Sequence, residues 1–351
     1  MSPDKIIKIG NREVGDDRPP YIIAEACINH EGEIALAEEM VFIARAAGCD
    51  AIKFQMHVLD DEMLRDTPQS ENFEESLYDA LDRTNLSLDE HHRLKKLCES
   101  IGIDYLCTPF SRASADLLDS LDPVAIKVGS GELTNLPLQR HIARLGRPMI
   151  VSTGMSTVEE IGETVELLKD IGVPFALTHC VSIYPCPPSM VNIGNIPRYR
   201  QLFGVPVGLS DHTSSIYTSL GAVALGACVI EKHLTFDRTL PGPDHKSSIE
   251  PDELRQLVDG SKAIFESRGQ SREIFEEERQ IVAWARESVV SLGPIAKGTR
   301  ITEAMVSVKR PSPGPGAIPA RSLDAVIGRI ATGDIDAGRQ VLWNEVGGEA
   351  P

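Results

Sequence analysis

The stretches VPVGLSDHT (residues 205–213) and CVIEKHLT (residues 228–235) decide the fold. Each is a short run of apolar, mostly β-branched residues that ends in polar side chains, with His212 and His233 near the two ends. Short apolar runs of this length predict strands that are buried on both faces, as in a parallel sheet. Six further runs of the same kind precede them: YIIAEACINH (21–30), AIKFQMH (51–57), DYLCTPFSR (104–112), AIKVGSGE (125–132), MIVSTGMS (149–156) and FALTHCVSIYP (175–185).

Amphipathic segments with apolar residues at helical spacing lie between these runs. Examples are residues 33–48, 88–102 and 157–172, each of which closes on a glycine, the usual helix stop. Eight strand-then-helix units predict a (β/α)8 TIM barrel. An open doubly wound sheet is the alternative, but it requires a glycine-rich phosphate loop after its first strand. Here Glu25 and His30 follow that strand instead, so the barrel is favoured.

The character of the sequence changes after the eighth run. We predict a TIM-barrel domain over residues 1–268, a charged linker or connecting helix over residues 269–285, and a small β-rich module over residues 286–351. The last segment is rich in glycine and proline, contains short β-type runs and has no long helical pattern, which is typical of a compact β module.

Composition excludes several classes of protein. The net charge of −17 argues against nucleic acid as a partner, because phosphate backbones attract basic surfaces. No apolar run reaches the length of a membrane span, and the start MSPDKIIKIGNREVGDD has no apolar core, so we expect neither a membrane anchor nor a signal peptide. Seven scattered cysteines without a CxxC pair predict reduced thiols and a cytoplasmic protein.

The ends of the predicted strands are unusually polar. In TIM barrels the active site forms at the carboxyl ends of the strands. Burying an ionisable group there costs several kcal/mol unless it is paired or serves a ligand, so a ring of such groups indicates a site. The ring comprises Glu25, Lys53, Gln55, Thr108, Lys127, Ser130, Glu132, Ser152, His179, Tyr184, Asp211, His212, Glu231 and His233.

The two histidines allow two interpretations. Adjacent barrel strands lie about 4.8 Å apart, so His212 and His233 can share one divalent metal at about 2.0–2.1 Å each. Two protein nitrogens leave open positions, as a catalytic metal requires. Alternatively, both imidazoles are structural and bond to strand-end carboxylates such as Asp211 and Glu231.

Lys53 and Lys127 lie inside strands, where lysine is rarely buried. The first interpretation is an anion clamp for a phosphate or carboxylate, assisted by nearby hydroxyls, and this is the one we favour. A Schiff-base lysine, as in an aldolase, is the second. Ion pairs with Glu25 and Glu132 are the third. Those two glutamates are themselves candidates for orienting or deprotonating a water.

A series of short stretches along the chain resembles the motifs of the sialic acid synthase family. In order, they are KIGNREVG, IIAEACINHEG, IKFQMH, CTPFSR, IKVGSGE, VSTGM, GLSDHT, EKHLT and PGPDHKSS. The similarity runs from about Ile6 to Trp343, and the last module resembles the family's antifreeze-like (SAF) domain. Two positions depart from the family. Ser182 replaces an asparagine before Ile183-Tyr184-Pro185, and Ala26-Cys27 replaces the commoner Ile-Gly.

The resemblance implies the activity of N-acetylneuraminate synthase. This transferase condenses phosphoenolpyruvate with N-acetylmannosamine, with cleavage of the enol phosphate C–O bond. It also implies a divalent metal, Mn²⁺ by preference with Mg²⁺ or Co²⁺ as alternatives, and a domain-swapped homodimer. Implied roles are metal binding for His212 and His233 and catalysis for Glu25 and Glu132. Implied substrate contacts are Lys53, Gln55, Thr108, Lys127, Ser130, Ser152, Ser182, Tyr184, Asp244 and, from the partner subunit, Arg310.

Three other functions remain open. The same chemistry on a di-N-acetylated 6-deoxy hexose gives legionaminic or pseudaminic acid. A Schiff-base sialic acid aldolase would use one of the strand lysines. A non-catalytic ice- or glycan-binding protein would use the SAF module, but the polar ring of the barrel argues against an inert barrel.

Overall fold

The computed structural model describes residues 6–68, 75–269 and 272–347 and forms two compact units, Met1–Gly269 and Gln270–Pro351. The first unit opens with an antiparallel hairpin, β1 (Ile6–Ile9) and β2 (Arg12–Gly15). Eight strands then form one parallel sheet in the order β5-β4-β3-β10-β9-β8-β7-β6. They are β3 (Tyr21–Glu25), β4 (Ala51–Met56), β5 (Asp104–Pro109), β6 (Ile126–Val128), β7 (Met149–Ser152), β8 (Phe175–Cys180), β9 (Val207–Asp211) and β10 (Val229–His233).

The sheet forms the predicted barrel. β5 and β6, the two ends of that order, pack beside each other, so the sheet is nearly closed. Every barrel strand is buried because alternate residues face two different apolar layers. Ile22 and Ile52 belong to the outer layer under the helices, whereas Ile23 and Ala51 belong to an inner layer that also holds Ile9 of the hairpin. The interior of the barrel is therefore a packed core at the level of Ile23 and Ala51.

Helices surround the barrel, and three of them match the helical segments predicted at residues 33–48, 88–102 and 157–172. Ser87 and Thr157 each form a capping box at a helix start. Gly48, Gly102 and Gly172 end their helices in the left-handed conformation that glycine adopts without strain. The helices are α1 (Ile34–Ala47), α2 (Leu59–Glu62), α3 (Leu77–Thr84), α4 (Leu88–Ile101), α5 (Arg112–Ser120), α6 (Leu136–Arg144), α7 (Val158–Ile171), α8 (Pro188–Val191), α9 (Asn195–Phe203), α10 (Tyr217–Ala224) and α11 (Pro251–Ser267).

The second unit is mostly short β structure. It begins with α12 (Glu276–Ala285), which lies inside the predicted linker, and continues with the antiparallel pair β11 (Ser288–Ser291) and β12 (Val306–Lys309). Its own apolar core includes Val289 and Val341. None of the helices in the described parts of the chain is both long enough and apolar enough to cross a membrane.

Candidate active site

A cavity of about 620 Å³ opens at the carboxyl ends of the barrel strands. The strand pattern explains its polarity. Ala51 and Val229 belong to the inner apolar core, and two residues further along the same strand faces Lys53 and Glu231 line the cavity. Every predicted site residue of the barrel lines it: Glu25, Lys53, Gln55, Thr108, Lys127, Ser130, Glu132, Ser152, Ser182, Tyr184, His212, His233 and Asp244.

Two strand-end polar residues of the predicted ring, His179 and Asp211, are absent from this lining. Asp211 accepts hydrogen bonds from the hydroxyls of Thr218 and Ser219 and lies 3.2 Å from the buried ammonium of Lys232. The ring of His179 bonds to a backbone carbonyl. Neighbouring residues on a strand face opposite sides, so these side chains point away from the cavity that their neighbours line.

The two strand lysines share a buried carboxylate. Glu231 lies 3.8 Å from the ammonium of Lys53 and 3.8 Å from that of Lys127. Lys53 also lies 2.5 Å from Glu25 and donates to the hydroxyl of Thr108 at 3.0 Å. The predicted pair with Glu25 is therefore present. Lys127 pairs with Glu231, and its ammonium donates to a backbone carbonyl at 3.0 Å.

The charges of this cluster follow from burial and from these contacts. Burial alone would raise the pKa of Glu231, but Lys127 and Lys53 lower it, so Glu231 is the ionised carboxylate. Burial raises the pKa of Glu25 in spite of Lys53 beside it. Burial alone would lower the pKa of Lys53, but Glu231 and Glu25 together raise it, whereas burial lowers the pKa of Lys127. Glu25 is thus the carboxyl group most able to exchange a proton here.

A cluster of serine hydroxyls lines the same cavity. Ser130 donates a hydrogen bond to Ser152 at 3.0 Å. Gly154 permits this packing, because a β-carbon at that position would lie 2.3 Å from the hydroxyl of Ser182 and 2.6 Å from that of Ser130. The loops after three strands therefore bring three hydroxyl groups to one wall of the cavity.

Glu132 follows β6 and lines the same cavity. Burial, and to a smaller extent the carboxylate of Glu62, raise its pKa to about 7. Its Oε2 atom is buried without a hydrogen-bond partner among the described residues. A carboxyl group that is half protonated near neutral pH is suited to general acid–base chemistry.

The two histidines are neighbours. The ring centroids of His212 and His233 lie 5.4 Å apart, and the ring of Tyr184 lies 4.0 Å from that of His212. Nδ1 of His212 bonds to the backbone carbonyl of Val181 at 2.8 Å, which leaves Nε2 as its other ring nitrogen. Nδ1 of His233 is buried without a partner within the described residues. Neither ring bonds to Asp211 or Glu231, which the structural interpretation required.

A residue that sequence reasoning did not assign to the site lies next to His233. Cys27 lines the cavity, its thiol donates to Asp244 at 2.9 Å, and it accepts from the amide of Gln55 at 3.1 Å. Ligand atoms of Cys27, His233 and Asp244 all lie within 4.8 Å of one another. The only signal in the sequence was the replacement of the family's glycine by cysteine. Glu231 was in the polar ring, but its role between the lysines was missed.

Arg310 lies in the second unit. It is exposed, and its guanidinium lies 5.4 Å from the ring centroid of Trp284 in the same unit.

Comparisons with known proteins identify both units. Residues 40–273 match the NeuB family and residues 286–347 match the SAF domain. The "Uncharacterized protein MJ1065" of Methanocaldococcus jannaschii is 37% identical over 98% of this chain and 99% of its own. The N,N'-diacetyllegionaminic acid synthase of Legionella pneumophila is 34% identical (96% and 97%). The human N-acetylneuraminate-9-phosphate synthase is 32% identical, over 85% of each chain.

Solved structures agree. The spore coat polysaccharide biosynthesis protein SpsE of Bacillus subtilis superposes with a TM-score of 0.68 at 32% identity, covering 98% of this chain and 100% of that one. The sialic acid synthetase of Leptospira borgpetersenii, crystallised with citrate, gives a TM-score of 0.71 at 33% identity, covering 80% and 95%. The chain therefore belongs to the NeuB family of sialic acid synthases, with a TIM barrel followed by a SAF domain.

Proposed function

We propose that this protein is a metal-dependent synthase that condenses phosphoenolpyruvate with the open-chain aldehyde of an N-acetylated hexose. The observation that carries the proposal is the grouping of Lys53 and Lys127 in one cavity with His212 and His233. Such a cavity offers a cationic pocket for an anionic enol phosphate and, beside it, nitrogen ligands for a metal next to the aldehyde.

The lysines and hydroxyls suit phosphoenolpyruvate. Lys53 and Lys127 provide two ammonium groups, and Thr108, Ser130 and Ser152 provide neutral donors. Phosphate and carboxylate oxygens accept such bonds strongly when the donor is charged. Glu231 holds both ammonium groups in position. On binding, the substrate's anionic groups would add to the neutralisation that Glu231 provides for both lysines and Glu25 provides for Lys53.

The residues also fit a divalent cation. His233 has a buried ring nitrogen without a partner among the residues described, and Cys27 and Asp244 place a sulfur and an oxygen nearby. A bound divalent ion supplies Lewis-acid polarisation of the aldehyde oxygen. We propose Mn²⁺ as the preferred ion, with Mg²⁺ and Co²⁺ as alternatives, and His212 and His233 as ligands.

The bond changes balance as follows. The methylene carbon of phosphoenolpyruvate bonds to the aldehyde carbon, water adds to the enol carbon, and the C–O bond to phosphate breaks to release inorganic phosphate. The water must lose a proton, and the former aldehyde oxygen must gain one. Glu25 and Glu132, whose pKa values are raised by burial, are the groups we assign to these transfers.

The remaining residues would form the acceptor site. Gln55, Ser182, Tyr184 and Asp244 line the same cavity and offer hydrogen bonds to sugar hydroxyls. We propose N-acetylmannosamine as acceptor and N-acetylneuraminate as product, because KFQMH, DEM and KRP resemble that branch of the family. In a domain-swapped homodimer, Arg310 of one subunit would bind the acetamido group in the other.

The closest alternative is another acceptor. Relatives named for N,N'-diacetyllegionaminic acid and for N-acetylneuraminate 9-phosphate have nearly equal identity, so the product is decided by assay. Purified protein should receive phosphoenolpyruvate, Mn²⁺ and a panel of N-acetylated hexoses, with phosphate release and product mass as readouts. We expect one phosphate per sugar product, with N-acetylmannosamine preferred. If none of the sugars led to phosphate release, the proposed reaction would be refuted.

An aldolase is the second alternative, because it would also use a strand lysine. Borohydride reduction in the presence of pyruvate separates the two, since an aldolase is trapped on a lysine whereas the proposed synthase is not. The carboxylates beside Lys53 raise its pKa, which keeps that lysine protonated and non-nucleophilic. Burial lowers the pKa of Lys127, so Lys127 is the lysine that the trapping experiment must test.

A further inference from the structure

Cys27 occupies an unusual place in the cavity. It follows β3, and its backbone φ of 47° lies in the left-handed region, which residues other than glycine rarely adopt. Only 6% of its surface is exposed. Cys27 packs in a small apolar cluster with Leu59 and Leu81, yet its sulfur also faces the polar cavity, where the side chains of Gln55 and Asp244 bond to it.

The thiol meets polar partners of the kind that bind metals. Its sulfur lies 2.9 Å from an oxygen of Asp244, and a ligand atom of His233 lies within 4.8 Å of both. His233 is itself 6% exposed, and its buried Nδ1 bonds to none of the described residues. A thiol, a carboxylate and an unpartnered imidazole thus converge from three separate segments.

We propose that Cys27 is a metal ligand, acting as a thiolate together with His233 and Asp244. Metal–sulfur bonds of about 2.3 Å and metal–nitrogen bonds of about 2.0–2.1 Å require only small side-chain rotations from the present spacing. On ligation the thiol releases one proton to solvent, and the sulfur forms the bond to the ion. This inference rests on the proposed function only for the ion's task in catalysis.

The fourth position has a candidate in His212. Its Nδ1 is held by the carbonyl of Val181, and among the residues described nothing bonds to its Nε2. A sulfur ligand changes which ions such a site selects, because thiolates favour softer ions such as Zn²⁺, Cd²⁺ and Co²⁺ over a hard ion such as Mg²⁺. We therefore expect this protein to discriminate against Mg²⁺ more strongly than an imidazole and carboxylate site would.

The test uses the full-length, metal-stripped protein loaded with Co²⁺ in the absence of substrate. A thiolate bound to Co²⁺ gives a charge-transfer band in the near ultraviolet, which nitrogen and oxygen ligands do not produce. We expect the band in the wild type and its loss in Cys27→Ser and Cys27→Gly. The glycine variant suits the left-handed backbone, so it should fold, which circular dichroism verifies.

Cys180 provides the matched control. It is the other thiol that lines the cavity close to an imidazole, with its sulfur 3.8 Å from Nδ1 of His212. We expect Cys180→Ser to keep the band and His233→Ala to lose it. In competition titrations, Cys27→Ser should lose at least about tenfold in affinity for Cd²⁺ relative to Mn²⁺.

A wild-type protein without the band, or a band that survives in Cys27→Ser, would overturn the assignment. A band that is lost in Cys180→Ser but kept in Cys27→Ser would mean that Cys180 is the sulfur ligand. That result would also overturn the assignment. These spectra need no substrate, so they are independent of the sugar panel. Product formation without the band refutes the ligand alone, and the band without product refutes the proposed reaction alone.

Discussion

Replacing Glu132 by glutamine removes one ionisable group from the cavity at nearly constant volume. Burial and the neighbouring Glu62 raise the pKa of Glu132 from its ordinary value of 4.5 to about 7. Its Oε2 has no hydrogen-bond partner among the residues described. To accept a proton in the reaction, Glu132 must be ionised, and an ionised carboxylate at this buried position destabilises the folded state.

The size of this effect follows from linkage. Between pH 4.5 and about 7 the unfolded chain releases the Glu132 proton while the folded protein retains it, so stability falls as the pH rises. The shift corresponds to at most about 3 kcal/mol at 1.36 kcal/mol per pH unit, less whatever water in the cavity screens. Below pH 4.5 both states hold the proton and there is no penalty.

Glu132→Gln should therefore be more stable than the wild type near pH 8, by up to about 3 kcal/mol, and the excess should largely vanish near pH 4.5. Denaturant midpoints of both proteins at several pH values measure this difference. In parallel, kcat/KM of the wild type should rise through an apparent pKa near 7, and the variant should lose most of its activity together with that limb.

Glu62→Gln is the control for the cause of the shift. It removes a negative charge that raises the pKa of Glu132, so the rising limb should move to lower pH while activity persists. A Glu132→Gln protein whose stability advantage is the same at every pH would show that the carboxyl group has an ordinary pKa. The reasoning would then be refuted, whatever the effect on rate.

Three further predictions concern the metal, the bond that breaks and the quaternary structure. His212→Ala and His233→Ala should each lower turnover by orders of magnitude and weaken Mn²⁺ binding in titrations while circular dichroism is retained; wild-type turnover of either variant in chelator would contradict the metal assignment. With phosphoenolpyruvate labelled by ¹⁸O at the bridging oxygen, mass spectrometry should find the label in phosphate, and label in the sugar would indicate P–O cleavage. Mixing Arg310→Ala with Glu132→Ala chains should restore roughly a quarter of wild-type activity, because half of the dimers contain one intact site; confirmed exchange without recovery would refute the swapped arginine.

The barrel and the position of its site could be predicted because the strands carry their polarity pattern in the sequence. Along β10, Val229 packs in the inner core, and Glu231 and His233 follow on the same face and line the cavity. Where the inward-facing residues of a strand change from apolar to polar, the packed core ends and the cavity begins. The family motifs add the enzyme family to which such a site belongs, but the place of the site follows from the strands.

Which of two adjacent polar residues faces the cavity was not predicted. Asp211 precedes His212 and Lys232 precedes His233, and in each pair the first residue faces outward. Asp211 and Lys232 form a buried pair, which satisfies both charges beneath α10. Counting in steps of two from the apolar positions of β9 and β10 separates structural from functional residues, whereas the predicted polar ring contains both Asp211 and His212.

The loops after the strands were least accessible to prediction, because their geometry depends on contacts between distant segments. Cys27 and Asp244 are 217 residues apart in sequence, yet their side chains form a hydrogen bond across the cavity. Cys27 alone reads as an apolar substitution for glycine, and Asp244 alone reads as a turn residue. Only the closure of the barrel, which pairs β3 with β10, puts the two loops side by side and brings His233 to them. The proposed ligand set therefore has no spacing pattern in the sequence, because it depends on which loops the closed barrel brings together.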